Sequence, residues 1–215
     1  MKWLAVAVGW LALCASAYAQ TALEMKRDAI SSMVGTLYTK TTPSFSGGKL
    51  DGCTMEYGAV IRDWYYRRGD FVIVGGGFGL LSGSGKFGAF LKVIFHDYDP
   101  QTMEPYPNAP EEAAFIFGNA TNRADVLDTF KADVPGGLVV VFPPMPTLGN
   151  IIKQVVAGQV TLAVARKRGL TAIVIPIDTA IEETLENNQK KRSQQAQLGF
   201  LNCSQQFVEN MQAAR

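Results

Sequence analysis

Residues 53–66 read CTMEYGAVIRDWYY, residues 71–81 FVIVGGGFGLL and residues 86–97 KFGAFLKVIFHD, with RRGD (67–70) and SGSG (82–85) between them. Val, Ile, Phe and Tyr dominate the three runs, and such side chains suit a pleated, half-buried surface. The short Gly-, Ser- and charge-rich insertions are turn signals. Two successive hairpins, giving a three-stranded antiparallel meander, are the simplest reading.

Downstream, a Pro-rich loop (Pro100, Pro105, Pro107, Pro110) leads to a short strand at 113–117, a helical turn or short helix near 124–131, and a strand at 138–142 that Pro143, Pro144 and Pro146 end. Thr147 is placed to cap a helix over 148–157. Strands at 160–165 and 170–177 flank the turn Arg166-Lys167-Arg168-Gly169. Upstream, Leu23, Ile30, Met33, Val34 and Leu37 recur at helical spacing over 21–38, whereas 39–52, with Pro43, Gly47, Gly48 and Gly52, reads as loop. Residues 182–197 are almost wholly polar, and Phe200, Cys203, Phe207 and Met211 then share one face of a C-terminal amphipathic helix.

The fold expected is α+β: an antiparallel β-sandwich or partly closed barrel flanked by an N-terminal and a C-terminal amphipathic helix. Its parts are a signal peptide at 1–19, a helix and loop at 20–52, a β-rich domain at 53–181, and a polar segment and helix at 182–215 packed on the same domain. The signal rests on Met1-Lys2, an uncharged apolar run from Trp3 to Leu13, and the small-residue stretch Ala15 to Ala19. That run is about half of the roughly 20 residues a spanning helix needs. Leu13 before Cys14 does not suit lipid modification. A periplasmic or secreted protein with no transmembrane segment after cleavage is therefore expected.

Loss of Lys2 brings the formal net charge of +1 to zero. A neutral chain lacks the excess of Lys and Arg that phosphate neutralisation requires, which argues against nucleic acid as a partner. Cleavage also removes Cys14 and leaves Cys53 and Cys203, which in an oxidising compartment have one possible pairing. That disulfide would tie the C-terminal helix to the start of the β region. Closing so long a loop contributes about 4–5 kcal/mol in the chain-entropy picture.

Motifs for chemistry are few. Gly75-Gly76-Gly77 follows a β run as a dinucleotide-binding turn would, but Leu80 or Ser82 falls where G-x-G-x-x-G needs its last glycine. A phosphate-binding loop around Gly85-Lys86 fails because Leu80 and Phe87 occupy its other required places. The glycines read instead as a strand that bends or lies beside bulky groups such as Trp64 and Tyr65. His96, Asp97 and Asp99 are the one cluster with metal-ligand atoms, and the calcium-loop frame breaks at Gln101-Thr102. No nucleophile elbow, HExxH or paired-carboxylate pattern occurs, so a protein that is not an enzyme, with no cofactor and no metal, is expected.

Arg67-Arg68, Arg166-Lys167-Arg168 and Lys190-Lys191-Arg192 are partner-contact candidates, provided the fold brings them together. In layout alone, a signal peptide followed by a compact β domain with few charged sites resembles small periplasmic proteins of the invasion-associated locus B type; no residue carries over. The function expected is protein–protein binding, as an envelope accessory factor or inhibitor, with another envelope or secreted protein as partner and contacts in the long loops 98–110 and 182–197. The alternative is a carrier of a small apolar ligand in a cavity lined by Tyr57, Trp64, Phe71, Phe78 and Phe90.

Overall fold

A computed structural model describes residues 21–83 and 86–213; the signal read over 1–19 lies outside the described residues. In chain order the elements are α1 (residues 21–32), β1 (Gly35–Ser46), β2 (Lys49–Asp63), β3 (Asp70–Gly83), β4 (Lys86–Tyr98), β5 (Pro105–Pro107), β6 (Glu112–Phe117) and β7 (Ala120–Thr121). After a 3-10 turn at Arg123–Asp125 come β8 (Asp128–Lys131), β9 (Gly137–Phe142), α2 (Pro144–Val156), β10 (Gln159–Ala165), β11 (Ile173–Asp178), β12 (Ile181–Thr184), β13 (Lys190–Arg192) and α3 (Gln195–Ala213).

The fold is α+β, built mostly from antiparallel sheets. The meander read from 53–97 is β2-β3-β4, and it forms the middle of a sheet ordered β1-β2-β3-β4-β9-β8, with β5 added on β4. A second sheet runs β11-β10-β6-β7, and β12 pairs with β13. Each sheet ends in an open edge strand, so the barrel half of the expectation is corrected.

Side chains alternate across each strand. Met55 and Tyr57 of β2, Phe78 and Leu80 of β3, and Leu91 and Phe95 of β4 all point to one face, where they meet Phe115 of β6, Leu162 of β10 and Ile175 of β11 in a single buried cluster. Phe115 stands edge-on to Phe78 at 6.0 Å and lies 5.5 Å from Phe142, so aromatic contacts link the two sheets. Ile151 of α2 and Phe200 and Phe207 of α3 complete this core. On the opposite face of β2 and β3, Ile30 of α1 joins Val60, Phe71, Tyr98 and Met103 in a second, smaller cluster.

Cys53 of β2 and Cys203 of α3 have their sulfurs 2.03 Å apart, the pair read from the sequence. Gly76 in β3 has a positive φ of +150°. A Cβ there would stand 2.0 Å from the Lys92 carbonyl oxygen. The bare backbone lets the Tyr57 phenol cross β3 and donate to that oxygen at 3.2 Å, while full burial pushes the phenol pKa up. The glycine run thus accommodates a bulky ring, as its composition implies, but the ring is Tyr57 rather than Trp64 or Tyr65.

Other local expectations need correction. Residues 35–38 belong to β1 rather than to the first helix, and 39–52 form β1, a tight turn and the start of β2 rather than a loop. The helix near 124–131 is a single 3-10 turn followed by strand β8. Thr147 is not an N-cap, because α2 begins earlier, at Pro144. The polar segment 182–197 contains β12, β13 and the start of α3.

Candidate functional site

The β2–β3 loop is built around Asp63, whose side chain is fully buried. Its Oδ1 accepts the backbone N–H groups of Tyr65 (3.1 Å) and Tyr66 (2.9 Å), and its carbonyl accepts those of Arg67 (3.3 Å) and Gly69 (2.9 Å). An aspartate that caps its own loop in this way holds the chain in one conformation. The same fixed loop leaves Trp64 and Tyr65 in solvent, 68% and 62% exposed. The Tyr66 hydroxyl donates to the Thr171 carbonyl, which ties this loop to the β10–β11 turn.

Beneath the loop lies a network of four charges. Arg166, immediately after β10, donates from Nε (3.2 Å) and Nη2 (3.1 Å) to Asp63 Oδ2 and from Nη2 to Asp97 Oδ1 at 2.5 Å. Arg67 donates from Nη1 to Asp97 Oδ2 (3.2 Å) and to the Tyr106 hydroxyl (2.9 Å), and from Nη2 to the Tyr98 carbonyl (2.6 Å). Asn108 Nδ2 adds a 2.6 Å bond to Asp97 Oδ2. Asp97, on β4, is fully buried like Asp63. Ions so far from water persist only when paired and hydrogen-bonded. Burial alone would lower the Arg67 pKa; Asp97, Tyr106 and Asp70 outweigh it and hold the guanidinium above its ordinary value.

The Arg166 side chain is only 9% exposed. Its guanidinium carbon lies 5.0 Å from the centroid of the Phe95 ring, and its Nη1 has no hydrogen-bond partner, nor does Arg67 Nε. A pocket of about 360 Å³ opens beside the network, lined among others by Tyr66, Arg67, Asp97, Asn108, Arg166 and Lys167. Both carboxylates of the network are paired with guanidinium groups. What it provides is a stiff base, with cationic and aromatic groups at its surface.

Two of the three basic runs therefore meet. Arg67 and Arg166 are consumed by the network, while Arg68, Lys167 and Arg168 remain at the surface around it. The third run does not join the network through any pairing found. Lys191 pairs with Glu182 (3.2 Å) and Glu183 (3.1 Å), and Arg192 with Asp178 at 2.7 Å. Lys190 donates to Thr184 Oγ1 at 2.9 Å, and burial lowers its pKa.

His96, Asp97 and Asp99 do not converge. His96 and Asp97 are successive strand residues and face opposite sides of the sheet, and Asp99 accepts the backbone N–H groups of Gln101 and Thr102 in its own turn. The five aromatics proposed to line a ligand cavity occupy separate places. Tyr57 and Phe78 pack 6.1 Å apart within the main core, Phe71 belongs to the second cluster, Phe90 lies on the opposite sheet face from Phe78, and Trp64 stands in solvent.

Sequence reasoning missed Asp63, Tyr106 and Asn108. Asp63 carried one readable signal, an acidic residue closing a β run directly before WYYRRG, which is the position from which a short polar side chain turns a loop. Compared with known protein families, with curated proteins and with solved structures, the chain matches none of them.

Proposed function

We propose that this chain is an exported, non-enzymatic binding protein of the periplasm or the extracellular space, an envelope accessory factor or an inhibitor, in which an open β-sandwich flanked by α1 and α3 presents one end to a partner protein. The reading of export draws on residues 1–19 and is compatible with the Cys53–Cys203 pair. Among the described residues, no helix is long and apolar enough to cross a membrane.

One observation carries the reading. The exposed Trp64 and Tyr65 share the β2–β3 loop with Arg68, the exposed Leu170 shares the β10–β11 turn with Lys167 and Arg168, and the two turns are joined by the Tyr66–Thr171 hydrogen bond and braced by buried ion pairs. Aromatic and arginine side chains dominate the binding energy of protein interfaces, and loops already fixed before binding lose less entropy on complex formation.

The test is capture of partners from the native envelope extract by the oxidised, processed protein. A stoichiometric protein is expected, and Trp64→Ala is expected to weaken its binding by about 2 kcal/mol while leaving the unfolding midpoint of the free protein unchanged. A small molecule co-purifying without any protein partner would contradict the reading.

A further inference from the structure

The pocket beside the four-charge network has an unmet chemical demand. Three cations, Arg67, Arg166 and Lys167, line it against a single lining carboxylate, Asp97, with Asp63 behind. No described carboxylate pairs with Lys167 in any contact found, and Arg166 Nη1 is a buried donor with no acceptor. An unpaired donor on a buried, charged group is costly. Leu170 completes the pocket wall and is 45% exposed, so an apolar stem entering there has a surface to lie on.

We infer that the pocket receives an acidic side chain, a glutamate or aspartate, from the partner protein. The inference rests on the reading of this end as a contact surface and adds the chemistry of what enters it. The carboxylate pairs with Lys167 and becomes an acceptor for Arg166 once the buried Nη1 turns toward it, while Arg68 at the rim favours a further acidic residue beside it; Arg168 already faces Glu112 at 3.9 Å. Charge-paired recognition of this kind sets which partner binds and how fast it arrives. A concave recess of about 360 Å³, open to solvent on one side, admits a single side chain, which the flat face of an anionic membrane does not supply.

The experiment uses the full oxidised protein and two small probes, N-acetylglutamate α-amide and its neutral isostere N-acetylglutamine α-amide, each titrated at constant ionic strength while side-chain N–H resonances are followed by NMR. The glutamate probe is expected to give saturable shifts at Asn108 and Arg166, and the glutamine probe none. Lys167→Glu, on an exposed turn where folding is not at stake, is expected to weaken the glutamate probe about tenfold or more. No saturable shift, equal response to both probes, or an unchanged titration in Lys167→Glu overturns the proposal. If the probes fail while protein capture remains sensitive to Trp64→Ala, the acidic anchor is wrong and the contact surface stands. If the probes fail but the protein binds phosphatidylserine vesicles in a Lys167-dependent way, the pocket end serves an anionic lipid surface instead.

Discussion

Asp97→Ala is expected to lower the stability of the protein by about 3–5 kcal/mol, the range for breaking a buried ion pair from one side. The side chain is wholly buried and accepts from Arg166, Arg67 and Asn108 at once. Its removal leaves Arg166 with Asp63 alone and Arg67 without its buried carboxylate partner. The magnitude reflects the stranded charge more than the net worth of the network, and a double variant separates the two. Adding Arg166→Met to Asp97→Ala should cost less than the sum of the two single changes, with a coupling of about 0.5–3 kcal/mol between the two sites, even though Asp63 then loses its guanidinium partner as well. Urea unfolding of the four proteins measures it. A loss below about 1 kcal/mol for Asp97→Ala would mean that the charges are better solvated than their burial implies.

Replacing both Cys53 and Cys203 with alanine is expected to cost about 2–5 kcal/mol. The bridge closes a loop of 150 residues, so its absence frees a large unfolded ensemble. The fold should survive, because α3 keeps other anchors: Phe200 and Phe207 are fully buried, Thr41 donates to the Ala196 carbonyl at 2.6 Å, and Gln197 bonds to Val155 and Thr179. The variant should therefore unfold at lower urea, with hydrogen exchange rising first in α3. An unchanged midpoint would indicate that the unfolded chain is compact enough for the crosslink to constrain little.

How much of this was legible depends on where each signal lies. The meander was readable because three long β-rich runs are punctuated by RRGD and SGSG, and local composition and tertiary structure agree there. The strand β1 was not, because TKTTPSFS has the composition of a loop. It is a strand because its inward hydroxyls bond to backbone: Thr39 Oγ1 donates to the Thr179 and Ile181 carbonyls, and Thr36 Oγ1 accepts from the Asp178 N–H. The Gly47-Gly48 pair, with φ of +56° and +78°, then makes the two-residue turn into β2, a hairpin signal that the surrounding Ser and Thr obscured.

The segment 124–131 misled in the opposite sense. Leu127 and Phe130, three apart, imitate one face of a helix, yet β9 offers an open edge and Asp128 to Lys131 pair with it. Tertiary hydrogen bonds overrode a weak local preference. The disulfide was legible from cysteine arithmetic alone. The charge network was not: Arg166 meets Asp63 across 103 residues and Asp97 across 69, and nothing in either local stretch distinguishes a buried aspartate from a solvated one. The basic turns were visible as candidates, and the fold decided which of their members are held in buried ion pairs and which stay exposed.

The most direct test of the account places a photo-crosslinking amino acid at Tyr65, and in a second protein at Leu198, an exposed position on α3, and illuminates each in the native envelope. The account predicts one protein species crosslinked from position 65 and none from position 198. The same species captured from both positions, or from 198 alone, would contradict it by moving the contact surface away from the braced aromatic turns.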